Sequence, residues 1–125
     1  MRKKISTEKA PQDTGSFSQG ILTEDFVFTS GQIPLTTQGK LLEGSLEQQI
    51  NQIMQNLKGI LGDVGLSFEH VVKTTIYVTD MEMYKTVNDV YGSYMIEPFP
   101  AREVICVKAL PLGAQIEISM VAKRT

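Results

Sequence analysis

The sequence predicts an α+β fold in which two helices cover one face of a sheet. Segments rich in β-branched and aromatic residues flank two longer segments whose apolar residues recur with helical periodicity. The order is two strands, a helix, a strand, a helix and two strands, which is typical of this class. The chain has 125 residues and no segment with the composition of a linker, so we expect a single domain over residues 1–125.

The N-terminal third predicts a hairpin followed by a loop. Strands are expected over residues 17–22 and 26–30, joined by the polar turn Thr23-Glu24-Asp25. Pro34 ends the second strand, because proline has no backbone N–H to donate to a neighbouring strand. Residues 36–44 contain two glycines and are assigned to a loop, and the basic residues close to both chain ends are interpreted as solvated tails.

The first helix is predicted between Leu46 and Val64, where apolar residues recur at steps of three and four along one stripe. Ser45 and Gln48 have the spacing of a capping box, in which each side chain bonds the other residue's backbone N–H. Gly65 is expected to end the helix, because glycine readily adopts the left-handed conformation of a C-terminal cap.

The second half of the chain predicts a central strand, a second helix and two closing strands. Residues 71–78 are rich in β-branched side chains and are assigned to the central strand. Thr79 and Glu82 repeat the capping-box spacing and are expected to open the helix. The closing strands are expected over residues 102–109 and 115–122. The helix directs a set of residues toward the core, namely Tyr84, Val87, Val90, Tyr91 and Tyr94.

Composition and charge exclude several classes of function. The formal net charge is −2, so no general attraction to nucleic acid or to an anionic membrane is expected. No apolar run approaches the ~20 residues of a membrane span, and the basic N-terminus lacks the apolar stretch of a secretory signal. Cys106 is the only cysteine, which excludes an intrachain disulfide. We therefore expect a soluble cytoplasmic protein that does not bind membranes and for which binding of nucleic acid is disfavoured.

Structural roles are expected for several residues that resemble parts of catalytic or metal sites. Cys106 lies among valines and an isoleucine, and we interpret it as a buried, unreactive thiol. His70 is the only histidine, which excludes a histidine-rich metal site and favours a structural role at the start of a strand. Gly31 and Gly113 lack the spacing of a phosphate-binding loop. The methionines of the helical stripes are assigned to the core or its edge, with no metal site among them: Met54, Met81, Met83 and Met95.

The last two predicted strands carry the clearest candidates for chemistry, Arg102 and Glu117. Arginine keeps its charge and offers a fork of N–H donors, so it is suited to binding a small carboxylate. A partly buried glutamate can move a proton or hold a water molecule. Together they predict a cofactor-free enzyme that acts on a small organic acid. The alternative interpretation is a cross-strand ion pair of modest energetic value.

Strand alternation predicts which way these side chains face. Arg102 shares a face with Val104 and Cys106, and Glu103 points to the opposite side, where it does not compete with an anion bound to Arg102. In the final strand, Glu117 points away from the apolar face and so toward a cleft or a partner subunit.

A series of short blocks runs in order along the whole chain: Ala10-Pro11, Gly15-Ser16-Phe17-Ser18-Gln19-Gly20, Ser30-Gly31-Gln32-Ile33-Pro34, Val72-Lys73-Thr74-Thr75, Val78 with Asp80, Val87-Asn88, Pro100-Ala101-Arg102, Leu110-Pro111 and Glu117-Ile118. Together these blocks resemble the RidA family, the reactive-intermediate (enamine/imine) deaminases formerly called YjgF proteins. Each block alone is weak, but their joint occurrence in this order is highly specific.

The resemblance implies a chorismate-mutase-like α+β fold assembled as a homotrimer, with active-site clefts between neighbouring subunits. It also implies cofactor-free hydrolysis of 2-aminoacrylate and related enamines or imines to 2-oxo acids and ammonia, the reaction of a 2-iminobutanoate/2-iminopropanoate deaminase. By match to the family's motifs, Arg102 would hold the substrate carboxylate and Glu117 would position or activate the attacking water. The rest of the cleft would comprise Phe17 as an aromatic wall, Ser30, Gly31, Asn88 and the backbone of Val104.

Three positions depart from the family's usual pattern. Many members have a tyrosine in place of Phe17, a small polar residue in place of Glu103 and a cysteine in place of Val104. The first two changes bear on the substrate range. The third matters little where only the backbone contacts the ligand.

Other functions are also compatible with the resemblance. Family members have been described as translation inhibitors or ribonucleases, and as regulators of purine metabolism. RNA contact is disfavoured here by the acidic net charge and by the absence of a basic stripe or an arginine–aromatic platform. A non-catalytic regulator that binds a small ligand is a further alternative. Arg102 together with Glu117 favours the enzyme, because binding alone would need only the arginine.

Overall fold

Six strands and two helices make up the computed structural model, which describes residues 1–125. The strands are β1 Lys3–Ile5, β2 Gly20–Leu22, β3 Phe26–Thr29, β4 Val71–Val78, β5 Ala101–Cys106 and β6 Ile116–Lys123, and the helices are α1 Leu46–Gly62 and α2 Tyr84–Gly92. All six strands form one sheet in the order β1-β2-β3-β6-β4-β5. Only the β4–β5 pair is parallel, and α2 forms the crossover between these two strands. Neither helix is long and apolar enough to cross a membrane.

One face of this sheet packs against both helices. Along β6, Ile116, Ile118 and Met120 are buried, whereas the side chains between them are only half-buried on the other face. The buried residues of β4 and β6 form a single apolar cluster with those of α1 and α2. Burial of such a cluster is the main favourable contribution to folding. The predicted α+β fold, a mixed sheet with two helices on one face, is confirmed.

The first helix begins where the sequence predicts. The backbone N–H of Gln48 donates to the Ser45 hydroxyl at 3.1 Å, and the backbone N–H of Ser45 donates to Gln48 Oε1 at 2.9 Å. These reciprocal bonds confirm the capping box, which satisfies N–H groups that the helix itself leaves free. The helix ends at Gly62, three residues before the predicted stop. Gly65, with a φ of 78°, is the left-handed residue of the turn that follows.

The second helix begins later than the sequence predicts. The expected capping box of Thr79 and Glu82 does not form, because the backbone N–H of Thr79 donates to the carbonyl of Gln115 at 3.1 Å. Asp80 provides the cap instead, since its carboxylate accepts from the N–H of Glu82 at 2.9 Å and opens the 3-10 turn Met81–Met83. Aspartate and threonine are both effective caps, and here the pairing of Thr79 with the sheet decides between them.

Strand boundaries also differ from the prediction. The segment with Lys3 and Lys4 is not a solvated tail but the edge strand β1, which pairs with β2 and buries Ile5 in the core. A strand of 3 residues with one buried side chain has no alternation that a sequence pattern reveals. In addition, β2 begins at Gly20 and not at residue 17, and β5 ends at Cys106 and not at residue 109.

Several side chains expected in the core are exposed. Met54 and Met95 are buried as predicted, whereas Met81 is exposed on its 3-10 turn. Cys106 is exposed and not buried, because β5 is an edge strand without a neighbour on its outer side. Tyr84 is exposed as well, at the start of α2.

The single histidine has the structural role that the sequence predicts. Nδ1 of His70 accepts a hydrogen bond from the backbone N–H of Ser67 at 3.0 Å and closes the 3-10 turn Phe68–His70 before β4. The chain contains no group of three or more histidine, cysteine, aspartate and glutamate side chains arranged to hold a metal ion. We therefore assign no residues to a metal site.

The packing of α1 on the N-terminal loop is tested with a matched pair of glycines. A Cβ at Gly59 would lie 2.8 Å from Cβ and 2.9 Å from the carbonyl oxygen of Lys9, whereas a Cβ at Gly62 meets nothing within 4 Å. We expect Gly59→Ala to lower the free energy of unfolding by ~1–3 kcal/mol through overpacking. Gly62→Ala should leave it unchanged or raise it by about 0.5 kcal/mol. Urea unfolding followed by circular dichroism measures both, and equal effects would contradict the close approach at Lys9.

Candidate active site

The two candidate residues lie on opposite faces of the sheet. Arg102 in β5 pairs with Thr74 in β4, and Thr74 pairs with Met120 in β6, which places Arg102 on the helix-covered face. Glu117 pairs with Tyr77 on the other, open face. Since β4 lies between β5 and β6, the two residues are also two strands apart. The alternative interpretation, a cross-strand ion pair within one chain, is therefore wrong.

Glu117 lines a cavity of about 470 Å³ near the start of β6. This cavity brings together four of the predicted site residues, namely Phe17, Ser30, Gly31 and Glu117. Apolar side chains, among them Leu35 and the exposed Leu112, form part of the remaining wall. Cavities of this order that combine apolar walls with a few polar groups are typical small-molecule sites. We call this cavity the glutamate half-site.

A β-bulge after β3 shapes the glutamate half-site. Phe28 pairs with Val121, and the next pair is Gln32 with Ile118. Between these pairs the chain advances four residues from Phe28 to Gln32 but only three from Ile118 to Val121, so the first segment contains one extra residue. Two backbone hydrogen bonds of 2.8 and 3.0 Å close the Gln32–Ile118 pair. Bulges commonly redirect the chain beside active sites. Here the extra residue displaces the segment that contains Ser30 and Gly31 out of the regular ladder.

The carboxylate of Glu117 lies directly against the backbone of Gly31. A Cβ at Gly31 would overlap Oε2 of Glu117 and lie 2.7 Å from its Cδ, so a larger residue at position 31 would displace the carboxylate from its present position. Glu117 is half-buried and takes part in none of the ion pairs of the chain. Burial raises the pKa of its carboxyl above the usual range of a glutamate, because water solvates the charged form less completely. Such a carboxyl is suited to taking up and releasing a proton.

Arg102 lines a second, separate cavity of about 330 Å³ beside α2. Its guanidinium donates to Asn88 Oδ1 and to the Tyr84 hydroxyl, each at 2.9 Å. Cζ of Arg102 also lies 5.7 and 5.6 Å from the ring centroids of Tyr84 and Tyr91, within the range of cation–π contact. The remaining N–H groups of the guanidinium are free to bind an anion. We call this cavity the arginine half-site.

Helix α2 presents three side chains to Arg102. Tyr84, Asn88 and Tyr91 stand four and three residues apart, so they share one face of the helix. The hydroxyl of Tyr91 donates to Oγ1 of the buried Thr74 at 2.9 Å, and burial raises the pKa of this tyrosine. Tyr84, expected in the core, is thus a neighbour of Arg102 that sequence reasoning missed. Its spacing of four residues from Asn88 is the signal that indicates it.

Val104 lines neither cavity, but its backbone faces the free edge of the sheet. In a parallel pair, the backbone groups of every second residue bond to the neighbouring strand. The N–H of Val107, directly after β5, donates to the carbonyl of Val78 at 2.8 Å. The odd-numbered residues of β5 therefore bond to β4, and the backbone N–H and C=O groups of its even-numbered residues point away from the sheet. The N–H of Val104 is therefore available to a ligand or to another chain. Glu103 pairs with Lys73 at 2.7 Å on the open face, which confirms that its carboxylate points away from the arginine half-site.

Comparison with known proteins identifies the family. The family model described as Endoribonuclease L-PSP matches residues 7–124. The chain belongs to this family. Its members include proteins named Rid, RidA and YjgF, so the resemblance drawn from the sequence blocks is confirmed.

Three relatives illustrate how closely this chain matches the Rid family. The 2-iminobutanoate/2-iminopropanoate deaminase of Homo sapiens is 40% identical over 123 residues, which cover 98% of this chain and 90% of the human protein. Reactive Intermediate Deaminase A, chloroplastic, of Arabidopsis thaliana is 44% identical over 119 residues, 94% of this chain and 64% of the plant protein. The crystal structure of E. coli TdcF with bound serine has a TM-score of 0.92 and 32% identity, and the match covers 98% of this chain and 99% of TdcF.

The buried hydrogen bond between Tyr91 and Thr74 tests how the arginine half-site is supported. Tyr91→Phe removes the donor and leaves the Thr74 hydroxyl buried without a partner, so we expect the free energy of unfolding to fall by ~1–3 kcal/mol. Adding Thr74→Val removes the unpaired hydroxyl as well and should restore most of the loss. Urea unfolding of the wild type, both single variants and the double variant measures this coupling. Strict additivity of the two substitutions would contradict the pairing.

Proposed function

We propose that this protein hydrolyses 2-imino acids, and the enamines from which they form, to 2-oxo acids and ammonia. Relatives in the Rid family are named as reactive-intermediate and 2-iminobutanoate/2-iminopropanoate deaminases, which supports this reaction class. The substrate would be a small carboxylate such as 2-aminoacrylate. Hydrolysis of an imine needs only water, proton transfer and orientation, so the proposal includes no cofactor.

One observation carries the proposal: the two half-sites are chemically complementary, and each is incomplete. The arginine half-site has an oriented cation but no carboxyl, and the glutamate half-site has a carboxyl of raised pKa but no cation. Because they lie on opposite faces of one chain, a complete site would need one half from each of two copies. We therefore propose an active site at a subunit interface.

The open face of the sheet supports such an assembly. Phe26, Phe28 and Ile105 lie on this face with 37, 45 and 40% of their surface exposed. Apolar side chains grouped on an uncovered face favour association with another surface. A homotrimer would cover this face in every copy. Its three clefts would each combine the arginine half-site of one copy with the glutamate half-site of the next.

The half-sites would divide the chemistry between them. Arg102 would hold the substrate carboxylate so that C2 of the imine faces the glutamate half-site. Glu117 would accept a proton from water as the water oxygen bonds to C2, which breaks the C=N π bond and gives a tetrahedral carbinolamine. The same carboxyl would return this proton to the nitrogen. It would then transfer the proton of the C2 hydroxyl to the nitrogen as the C–N bond breaks, so that ammonia leaves and the C2 carbonyl forms. An enamine enters this sequence after it gains a proton at C3 and loses one from nitrogen, which converts it to the imine.

The properties of the ligand follow from the cavity walls. Phe17 in the glutamate half-site and Phe99 in the arginine half-site would give the combined cleft aromatic walls around a short side chain. E. coli TdcF was crystallised with serine, a small molecule that carries a carboxylate, and this supports a ligand of the same kind here. We expect 2-imino acids with short side chains to be preferred.

Two further aspects of the proposal concern location and RNA. We propose a cytoplasmic location, because an exposed free thiol such as Cys106 stays reduced there. The Arabidopsis relative is named for the chloroplast, so the family is not confined to the cytoplasm.

The family model is described as an endoribonuclease, which makes RNA cleavage the second activity to measure.

A coupled assay tests the reaction. A dehydratase converts serine to 2-aminoacrylate, and the release of pyruvate is followed with and without this protein. We expect the wild type to accelerate the release and Arg102→Ala to lose about 100-fold in kcat/KM, because the carboxylate is no longer held in place. Arg102→Lys should also be poor, since a point charge does not make the bidentate contact. Glu117→Gln should lower kcat by ~10²–10⁴-fold while binding of 2-oxobutanoate is retained.

The control for this assay is Glu47→Gln, an exposed carboxylate in the first turn of α1, which should behave as wild type. Circular dichroism establishes that each variant is folded. Full acceleration by a folded Arg102→Ala protein would contradict the role of the arginine. Cleavage of RNA without any acceleration of pyruvate release would replace the proposed reaction with the second activity.

A mixing experiment tests whether the site is shared between copies. Arg102→Ala and Glu117→Gln chains are co-expressed with different tags, and assemblies that contain both are purified. Each cleft of the proposed trimer needs an intact arginine from one copy and an intact glutamate from its neighbour. Every trimer that contains both variants then has one complete cleft out of three, so the purified mixed assemblies should show about a third of the wild-type activity. The separately expressed variants, mixed without exchange, are the control.

Two results would contradict the shared site. The first is the absence of any recovery in assemblies that contain both variants, because a site within one chain gains nothing from mixing. The second is a stable monomer at micromolar concentration in sedimentation velocity, combined with full activity. Both measurements are independent of the identity of the preferred imine.

A further inference from the structure

The hydroxyl of Tyr84 contacts the Arg102 guanidinium and has no part in the reaction proposed above. Its oxygen accepts an N–H of Arg102 at 2.9 Å, and its ring centroid lies 5.7 Å from Cζ of Arg102. We propose that Tyr84 is a positioning residue, which fixes the guanidinium in the orientation that binds the substrate carboxylate. The inference rests on the proposed function and deepens it, because it concerns how the arginine half-site recognises a carboxylate.

Two acceptors are needed to fix a guanidinium plane. Arg102 is only partly buried, and its long side chain has many accessible rotamers in the absence of partners. Asn88 Oδ1 accepts from one terminal nitrogen and the Tyr84 oxygen accepts from the other. Both acceptors belong to α2 and stand one helical turn apart, so a rigid element holds them. With Asn88 alone, the guanidinium would still rotate about a single hydrogen bond.

The hydroxyl of Tyr84, and not its ring, is the part that fixes the guanidinium. Tyr91 does not provide an equivalent acceptor, because its hydroxyl is committed to Thr74 at 2.9 Å and it contacts Arg102 through its ring. A phenylalanine at position 84 would keep an aromatic ring beside the guanidinium but lose the hydrogen bond that holds one of its terminal nitrogens.

The test is Tyr84→Phe in the full-length protein. We expect the dissociation constant of 2-oxobutanoate, measured by titration calorimetry, to rise about tenfold through loss of a charge-assisted hydrogen bond. The apparent KM for a continuously generated 2-imino acid should rise by the same factor. We expect kcat to change less than about twofold, because the carboxylate contact is present in both the ground state and the transition state.

Two comparisons separate positioning from a general structural role. Tyr94→Phe is the matched control, because this hydroxyl donates to Asn51 at 2.7 Å and lies outside both half-sites. It should leave the dissociation constant unchanged even where it lowers stability. In an Arg102→Lys background, which has no guanidinium fork, Tyr84→Phe should have little further effect on binding.

The outcomes distinguish this inference from the proposed function. An unchanged dissociation constant in Tyr84→Phe, or the same increase in the Arg102→Lys background as in wild type, overturns the role of Tyr84. Wild-type protein that binds 2-oxobutanoate but does not accelerate imine hydrolysis overturns the proposed function alone, and the comparison of dissociation constants still decides the role of Tyr84. Absence of binding by the wild type overturns both.

Discussion

The position of β6 between β3 and β4 is the constraint on which the rest of the structure depends. The last strand of the chain is inserted into the middle of the sheet, where it pairs with β4 along its length and with β3 at one end. This insertion keeps β5 and β6 apart, and the pleat turns Arg102 and Glu117 to opposite faces. Any chemistry that uses both side chains therefore depends on association between copies of the chain.

Local irregularities then shape each half-site without disturbing this sheet. On the open face, the bulge before Gln32 and the missing side chain of Gly31 make room for the Glu117 carboxylate. On the covered face, the chain runs from β4 through α2 into the parallel strand β5. The inner side of α2 therefore lies over the residues of β5 that point toward the helices. This crossover is what brings Tyr84, Asn88 and Tyr91 to Arg102.

Features that depend on neighbouring residues could be predicted from the sequence, and features that depend on strand order could not. The capping box at Ser45 and the outward direction of Glu103 need only local spacing or alternation, and both are as predicted. Nothing between residues 101 and 123 indicates that β4 separates the last two strands, because short connections usually join neighbours. Periodicity placed Tyr84 on one helix face, but it does not distinguish a face that meets the core from one that borders a cleft.

Assembly of the proposed cleft would also adjust the acid–base behaviour of Glu117. Within one chain, burial alone raises the pKa of this carboxyl. In the proposed assembly, the Arg102 guanidinium of a neighbouring copy would favour the charged carboxylate and oppose that increase. A substrate carboxylate bound to Arg102 would neutralise the cation, so that the effect of burial again dominates. Glu117 would then hold a proton more readily once the substrate is bound, which is when the leaving amino group requires one.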